Sequence, residues 1–135
     1  MPSTSTQEPA EAVVYLRAAS IAQGYHPHTL MRQWEVCQQY ARHRGLTITH
    51  VYTDAGVSGN SPRRPALDRM LRKLSHGRIG YLVTADNNRL ACNPELRLAL
   101  ELELGRYGVT PISSPSPSPI DTLHRQYVLH REVNE

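Results

Sequence analysis

Arginine supplies most of the chemistry this sequence can offer. Arg17 stands in "YLRAASIAQ", Arg63 and Arg64 in "DAGVSGNSPRR", and Arg89 in "DNNRLACN". Each stretch follows an apolar run and is rich in small polar residues. A guanidinium is planar, permanently charged at physiological pH and matched to the oxygens of a phosphate. Three such groups aimed at one crevice would stabilise the charge that develops on a phosphoryl group under attack. Loop arginines also stand free in water, so convergence is the condition for that chemistry. The stretch breaks into small residues after Arg17, with Ala19 where a reactive side chain might be expected and Ser20 next to it. Alanine has no oxygen and forms no covalent intermediate. Adjacent side chains of an extended segment point to opposite sides, which turns Ser20 away from the position Ala19 occupies.

Other chemistries find less support. Cys37 and Cys92 form neither a metal motif nor a disulfide framework. "HPH" at His26 to His28 has no third ligand at a sensible spacing, so no metal is expected. There is no glycine-rich phosphate loop and no G-x-S-x-G elbow.

The composition sets the frame for these residues. The chain has 135 residues, 39% hydrophobic and 20% charged, which suits one compact domain. Its formal net charge is +3, with Lys73 as its lone lysine. The sequence pI of about 9.1 permits an anionic partner without requiring one. No apolar run reaches the roughly 18 residues of a membrane span. "MPSTSTQEPAEA" lacks the basic and apolar regions of a signal peptide, so a cytoplasmic location and a disordered leader over 1–11 are expected.

Strand and helix signals alternate along 12–112. Ala12 to Arg17 reads as a buried strand and Thr29 to Arg44 as a helix capped by Thr29 and closed by Gly45. "LTITHVYT" alternates as a second strand. Pro65 opens a second helix with Leu67, Met70, Leu71 and Leu74 inward, and Ile79 to Ala85 reads as a third strand. A third helix runs from Pro94 to Tyr107, followed by the short strand "VTPI". The pattern predicts an α/β fold: an open, mainly parallel sheet of about four strands flanked by helices. Residues 113–119, "SSPSPSP", read as a linker, and 120–135 as a short helix with Ile120, Leu123 and Tyr127 on its apolar side. Such a helix is marginal alone and needs a partner surface. In an open parallel sheet the site lies beyond the C-terminal strand ends, where the three arginine-bearing loops fall.

These residues resemble the catalytic domain of resolvase/invertase-type serine recombinases. "YLRAASIAQ" is similar to that family's Y-x-R-V-S-T-x-x-Q, and "TLMRQ" to S-L-x-x-Q. "YTDAGVSGNSPRRPALDRML" resembles Y-x-D-x-G-x-S-G-x-x-x-x-R-P-x-L-x-x-L-L, and "YLVTADNNRLACN" resembles V-V-V-x-x-L-D-R-L-x-R-N. The resemblance implies a domain in which a serine attacks a DNA phosphodiester to form a 5′-phosphoserine link. Arginines stabilise the transition state, and no cofactor or metal takes part. By position, Arg17, Gln23, Ser58, Arg64 and Arg89 would contact phosphate, with Asp54 supporting them. Three positions depart from the pattern: Ala19 at the nucleophile, Asn88 at an aspartate and Cys92 at an arginine.

The resulting expectation is a degenerate recombinase domain, a pseudoenzyme that binds DNA, an intact recombinase subunit, or both. The alternative is an active site-specific recombinase that uses Ser20. Nothing in the sequence resembles a helix-turn-helix or zinc ribbon, so sequence-specific DNA reading by this chain alone is not expected. The curtailed tail points to at most a weak homodimer, and no membrane association is expected.

Overall fold

The protein is described by a computed structural model covering residues 10–18, 27–58 and 61–114. Its elements are β1 (Ala10–Ala18), α1 (Pro27–His43), β2 (Leu46–Ala55), α2 (Pro65–Leu74), β3 (Tyr81–Thr84), α3 (Pro94–Arg106) and β4 (Thr110–Ser113). The strands form one sheet in the order β2-β1-β3-β4, and every neighbouring pair is parallel. The predicted α/β architecture therefore stands, with four strands and three helices among the described residues.

β1 is central because it is apolar on both faces. Ala12, Val14 and Leu16 meet Cys37, Leu30 and Trp34 of α1 on one side. Val13 and Tyr15 meet Met70 and Leu74 of α2 and Leu100 and Leu104 of α3 on the other. Val13, Val14 and Tyr15 are wholly buried, each side chain contributing about 1.5–3 kcal/mol of transfer free energy.

Element boundaries differ from the sequence reading for local reasons. β1 begins at Ala10, within the expected leader, because Ala10 and Glu11 pair with Leu46 and Thr47. α1 starts at Pro27, so Thr29 lies inside the helix rather than capping it. Proline's fixed φ and missing N–H suit a first helical turn. β4 extends through Ser113, the expected first linker residue, which pairs with Thr84. The rest of the linker and the expected helix at 120–135 lie outside the described residues.

The second strand holds the least legible feature. Ala12 pairs with Ile48, but Val13 pairs with His50, leaving Thr49 as an extra residue. The Thr49 hydroxyl donates to the Ala12 carbonyl at 3.4 Å. One extra residue turns every following side chain to the opposite face. Leu46 and Ile48 therefore pack toward α1, whereas Tyr52 joins the α2/α3 side. Asp54 follows Tyr52 onto that side and lies beneath the first turn of α2.

Candidate functional site

The strand order 2-1-3-4 places a topological switch between β1 and β3, where parallel α/β sheets open a crevice at their C-terminal edge. Arg17 sits near the end of β1, and the loop after β3 brings Asp86, Asn88, Arg89 and Cys92 beside it. The loop after β2 approaches from the other side with Val57 and Arg64. The three arginine-bearing segments, the end of β1 and the loops after β2 and β3, thus converge.

The structure puts the guanidinium groups to a different immediate use. Arg17 is 4% exposed. Its Nε donates to the Arg89 carbonyl at 2.9 Å, Nη2 to the Asn88 carbonyl at 2.7 Å, and Nη1 to the Val57 carbonyl at 3.2 Å. Nη2 also lies 3.5 Å from the Cys92 sulfur. One side chain thereby ties together the loops after β2 and β3. Arg64, 3% exposed, donates to the Tyr15 hydroxyl through Nε and Nη2 at 3.2 and 3.0 Å. Its Nη2 reaches the same Arg89 carbonyl at 3.1 Å, and its guanidinium lies 5.2 Å from the Tyr15 ring centroid. The Arg89 carbonyl is thus a shared acceptor for two cations, and carbonyl dipoles offset their mutual repulsion.

Arg89 is the accessible arginine of the three. It pairs with Asp86 through Nε at 3.1 Å, with the two side chains 27% and 34% exposed. Its Nη1 also donates to the Arg17 carbonyl at 3.3 Å. Asp86 further accepts from the Asn88 main-chain N–H at 2.9 Å. It gives the site a second carboxylate beside Asp54.

Asp54 anchors the arrangement. Its Oδ1 accepts from the Ala66 N–H at 2.9 Å, and Oδ2 accepts from the Leu67 N–H at 3.1 Å and the Tyr15 hydroxyl at 2.7 Å. α2 carries no side-chain cap from Arg64 at its start. The bulge in β2 lets Asp54 cap it from a neighbouring strand, satisfying two of the N–H groups every helix start leaves open. Burial raises the Tyr15 pKa above the ordinary phenol range; its hydrogen bond to Asp54 acts the same way, and the Arg64 charge opposes them.

Gln33 of α1, the glutamine of the "TLMRQ" match, is a site residue to which the sequence reading gave no role. It is buried. Its Oε1 accepts from the Arg17 main-chain N–H at 3.1 Å, and its Nε2 donates to the Arg17 carbonyl at 2.8 Å. The side-chain amide replaces a missing strand and fixes the chain just before position 19. Beside that match, the place of Gln33 on the apolar stripe of α1, three after Leu30 and four before Cys37, marks it as a buried polar side chain.

Of the remaining predicted residues, Ser58 is exposed and its carbonyl accepts from the Ser61 N–H at 3.0 Å. Asn88 and Cys92 are exposed, and Cys92 faces Arg17. Ala19, Ser20 and Gln23 lie outside the described residues.

The family model described as "Resolvase, N terminal domain" matches residues 12–126. The chain belongs to the resolvase family of serine recombinases. The resolvase-type domain resembles the N-terminal catalytic domain of TP901-1 integrase with a TM-score of 0.70 at 21% identity, covering 93% of this chain and 99% of that one. A resolvase family site-specific recombinase from Streptococcus pneumoniae gives 0.67 at 21% identity, over 93% and 89% of the two chains. The C-terminal catalytic domain of ISC1926 TnpA, an IS607-like serine recombinase, gives 0.68 at 22% identity, over 76% and 69%. At these identities the likeness establishes the fold. Among curated protein sequences, none matches this chain significantly. Among the described residues, no helix is long and apolar enough to cross a membrane.

Proposed function

We propose that this resolvase-type domain has lost DNA strand cleavage and acts by binding, as a pseudoenzyme that engages DNA phosphates, an intact recombinase subunit, or both. The observation that carries this reading is Ala19 at the nucleophile position, where the covalent route needs an oxygen. Two further departures support it. Cys92 replaces a charge-stabilising arginine, a type of loss that costs on the order of 10²–10³ in rate. Asn88 keeps the shape of an aspartate without its ionisable group.

The phosphate-binding role proposed for Arg17, Gln23, Ser58, Arg64 and Arg89 acquires an order. Arg89 is partly exposed and meets an arriving phosphate first, exchanging Asp86 for it. Arg17 and Arg64 are engaged with carbonyls and a phenol, so they hold the loops that present Arg89. In this reading no cofactor or metal takes part, and self-association of the chain is weak.

The test is a pair of gels with purified full-length protein and a DNA duplex gapped within a recombination site of an intact relative. Retardation on the native gel with no retarded band on the denaturing gel supports non-covalent binding. A retarded band that survives denaturation overturns the loss of cleavage and favours the active alternative through Ser20.

A further inference from the structure

The outward side of α2 carries a stripe of basic side chains away from the arginine cluster. Arg69, Arg72 and Lys73 on the helix and His76 in the following turn are all exposed. Their spacing of three, four and seven residues aligns them along one line. Among the described residues the ion pair of the structure joins Arg89 to Asp86, so none of the three α2 cations is paired with a carboxylate. Asp68, the acid of this helix, lies in its first turn.

The stripe borders an aromatic pair on β2. The rings of His50 and Tyr52 stack with centroids 6.2 Å apart and planes 18° from parallel. His50 is exposed and Tyr52 half-buried. Arg69 lies near enough that its charge lowers the Tyr52 pKa against the upward push of burial. Cations in a last helical turn complement the helix dipole, and that accounts for Arg72 and Lys73. It does not account for Arg69 in mid-helix, or for the aromatic border.

We propose that the outward stripe of α2 docks the sugar–phosphate backbone of duplex DNA, on a surface distinct from the arginine cluster at the C-terminal edge of the sheet. From Arg69 to His76 the helical rise is about 10 Å, and one DNA strand presents a phosphate about every 3.4 Å of axis. The stripe therefore faces about three phosphates. Arginine-rich surface with stacking side chains beside it is the recurrent makeup of nucleic-acid contacts. The contact carries no sequence information, because it reaches no base edge. It rests on the DNA-binding arm of the function proposed above and names a surface for it.

The test is fluorescence anisotropy with the full chain and a labelled 30-base-pair duplex lacking any recombination site, at salt concentrations from about 50 to 200 mM. The variants are Arg69→Ala/Arg72→Ala/Lys73→Ala and, separately, Arg89→Ala. These α2 side chains are exposed, and unchanged circular dichroism and thermal midpoint confirm the fold. Each phosphate neutralised contributes about 0.9 to the salt slope, so the triple variant loses nearly 3 from it. Over the fourfold salt range the wild type then weakens about 40-fold more than the triple variant does. If the wild type binds and the triple variant keeps its affinity and slope, the docking surface is wrong while DNA binding stands. If the wild type binds no duplex, the DNA arm of the proposed function fails and the surface assignment with it. Equal affinity for polyglutamate of matched charge would overturn the assignment to DNA.

Discussion

Replacing Asp54 by asparagine preserves its shape and should still damage the domain. The carboxylate takes three buried donors: the Ala66 and Leu67 N–H groups and the Tyr15 hydroxyl. An amide has one acceptor oxygen. Placed at the Oδ2 position, that oxygen keeps Tyr15 and Leu67 while the NH₂ group confronts the Ala66 N–H. Turned over, it keeps Ala66 and loses the other two. One buried donor left unmade costs about 1–3 kcal/mol, and the surviving bonds lose their charge assistance. We predict a loss of about 2–3 kcal/mol for Asp54→Asn, and about 3–5 kcal/mol for Asp54→Ala, which removes all three acceptor contacts and the cap of α2. For a domain near 100 residues, each kcal/mol moves the thermal midpoint by about 4–8 °C. Thermal melts by circular dichroism, with urea titration, read both variants. Tyr15→Phe, alone and combined with Asp54→Asn, completes a double-mutant cycle in which contacting residues couple by about 0.5–3 kcal/mol. A melting point for Asp54→Asn within about 3 °C of wild type, or additivity in the cycle, would refute the account of Asp54 as the anchor of Tyr15 and α2.

Other perturbations test neighbouring steps. Gln33→Leu should cost about 2–4 kcal/mol in urea unfolding, since it strips the Gln33 partner from the buried main-chain N–H of Arg17 and one partner from its carbonyl; a loss below about 0.5 kcal/mol would mean water replaces the amide freely. Arg78 has φ of 84°, a left-handed conformation that costs an L-residue roughly 1–2 kcal/mol, so Arg78→Gly should raise the thermal midpoint despite glycine's larger unfolded-state entropy; an unchanged or lower midpoint contradicts that strain. Burial, with the Asp86 charge adding to it, pushes the Cys37 thiol from its ordinary value of 9.0 up to about 12. The unfolded chain therefore releases this proton first, and the stability associated with it is full below about pH 9 and lost as pH rises toward 12. Urea midpoints between about pH 8 and 10.5 should fall more steeply for wild type than for Cys37→Ala, and parallel curves would refute this.

The fold was legible because its local signals agree. β1 is apolar on both faces, Gly45 and Gly108 adopt φ of 70° and 76° just beyond helix ends, and Asn93 caps α3 by accepting from the Glu95 and Leu96 N–H groups. Which leucines of α3 turn inward was not legible. Leucine occupies alternate positions from 96 to 104, a period that matches no helical face, and Leu98 and Leu102 remain exposed while Leu100 and Leu104 are buried. β2 misled in a similar way. Leu46, Ile48, His50, Tyr52 and Asp54 read as one face until the extra residue at Thr49 divides them. In the site, the convergence of Arg17, Arg64 and Arg89 followed from topology. The acceptors of Arg17 did not, because Val57, Asn88 and Arg89 reach it from loops 40 or more residues away in the chain.

Loss of covalent chemistry is decided by intact-mass spectrometry of the wild-type chain after incubation with gapped DNA. Ala19→Ser run in parallel, and Ala19→Ser/Asn88→Asp/Cys92→Arg beside it, show whether the assay can register an adduct on this scaffold. An unshifted wild-type mass is expected, with less adduct for the single variant than for the triple, since Asn88 and Cys92 still lack the family's aspartate and arginine. A wild-type mass increased by the cleaved strand, with the DNA mapped to Ser20, would contradict it.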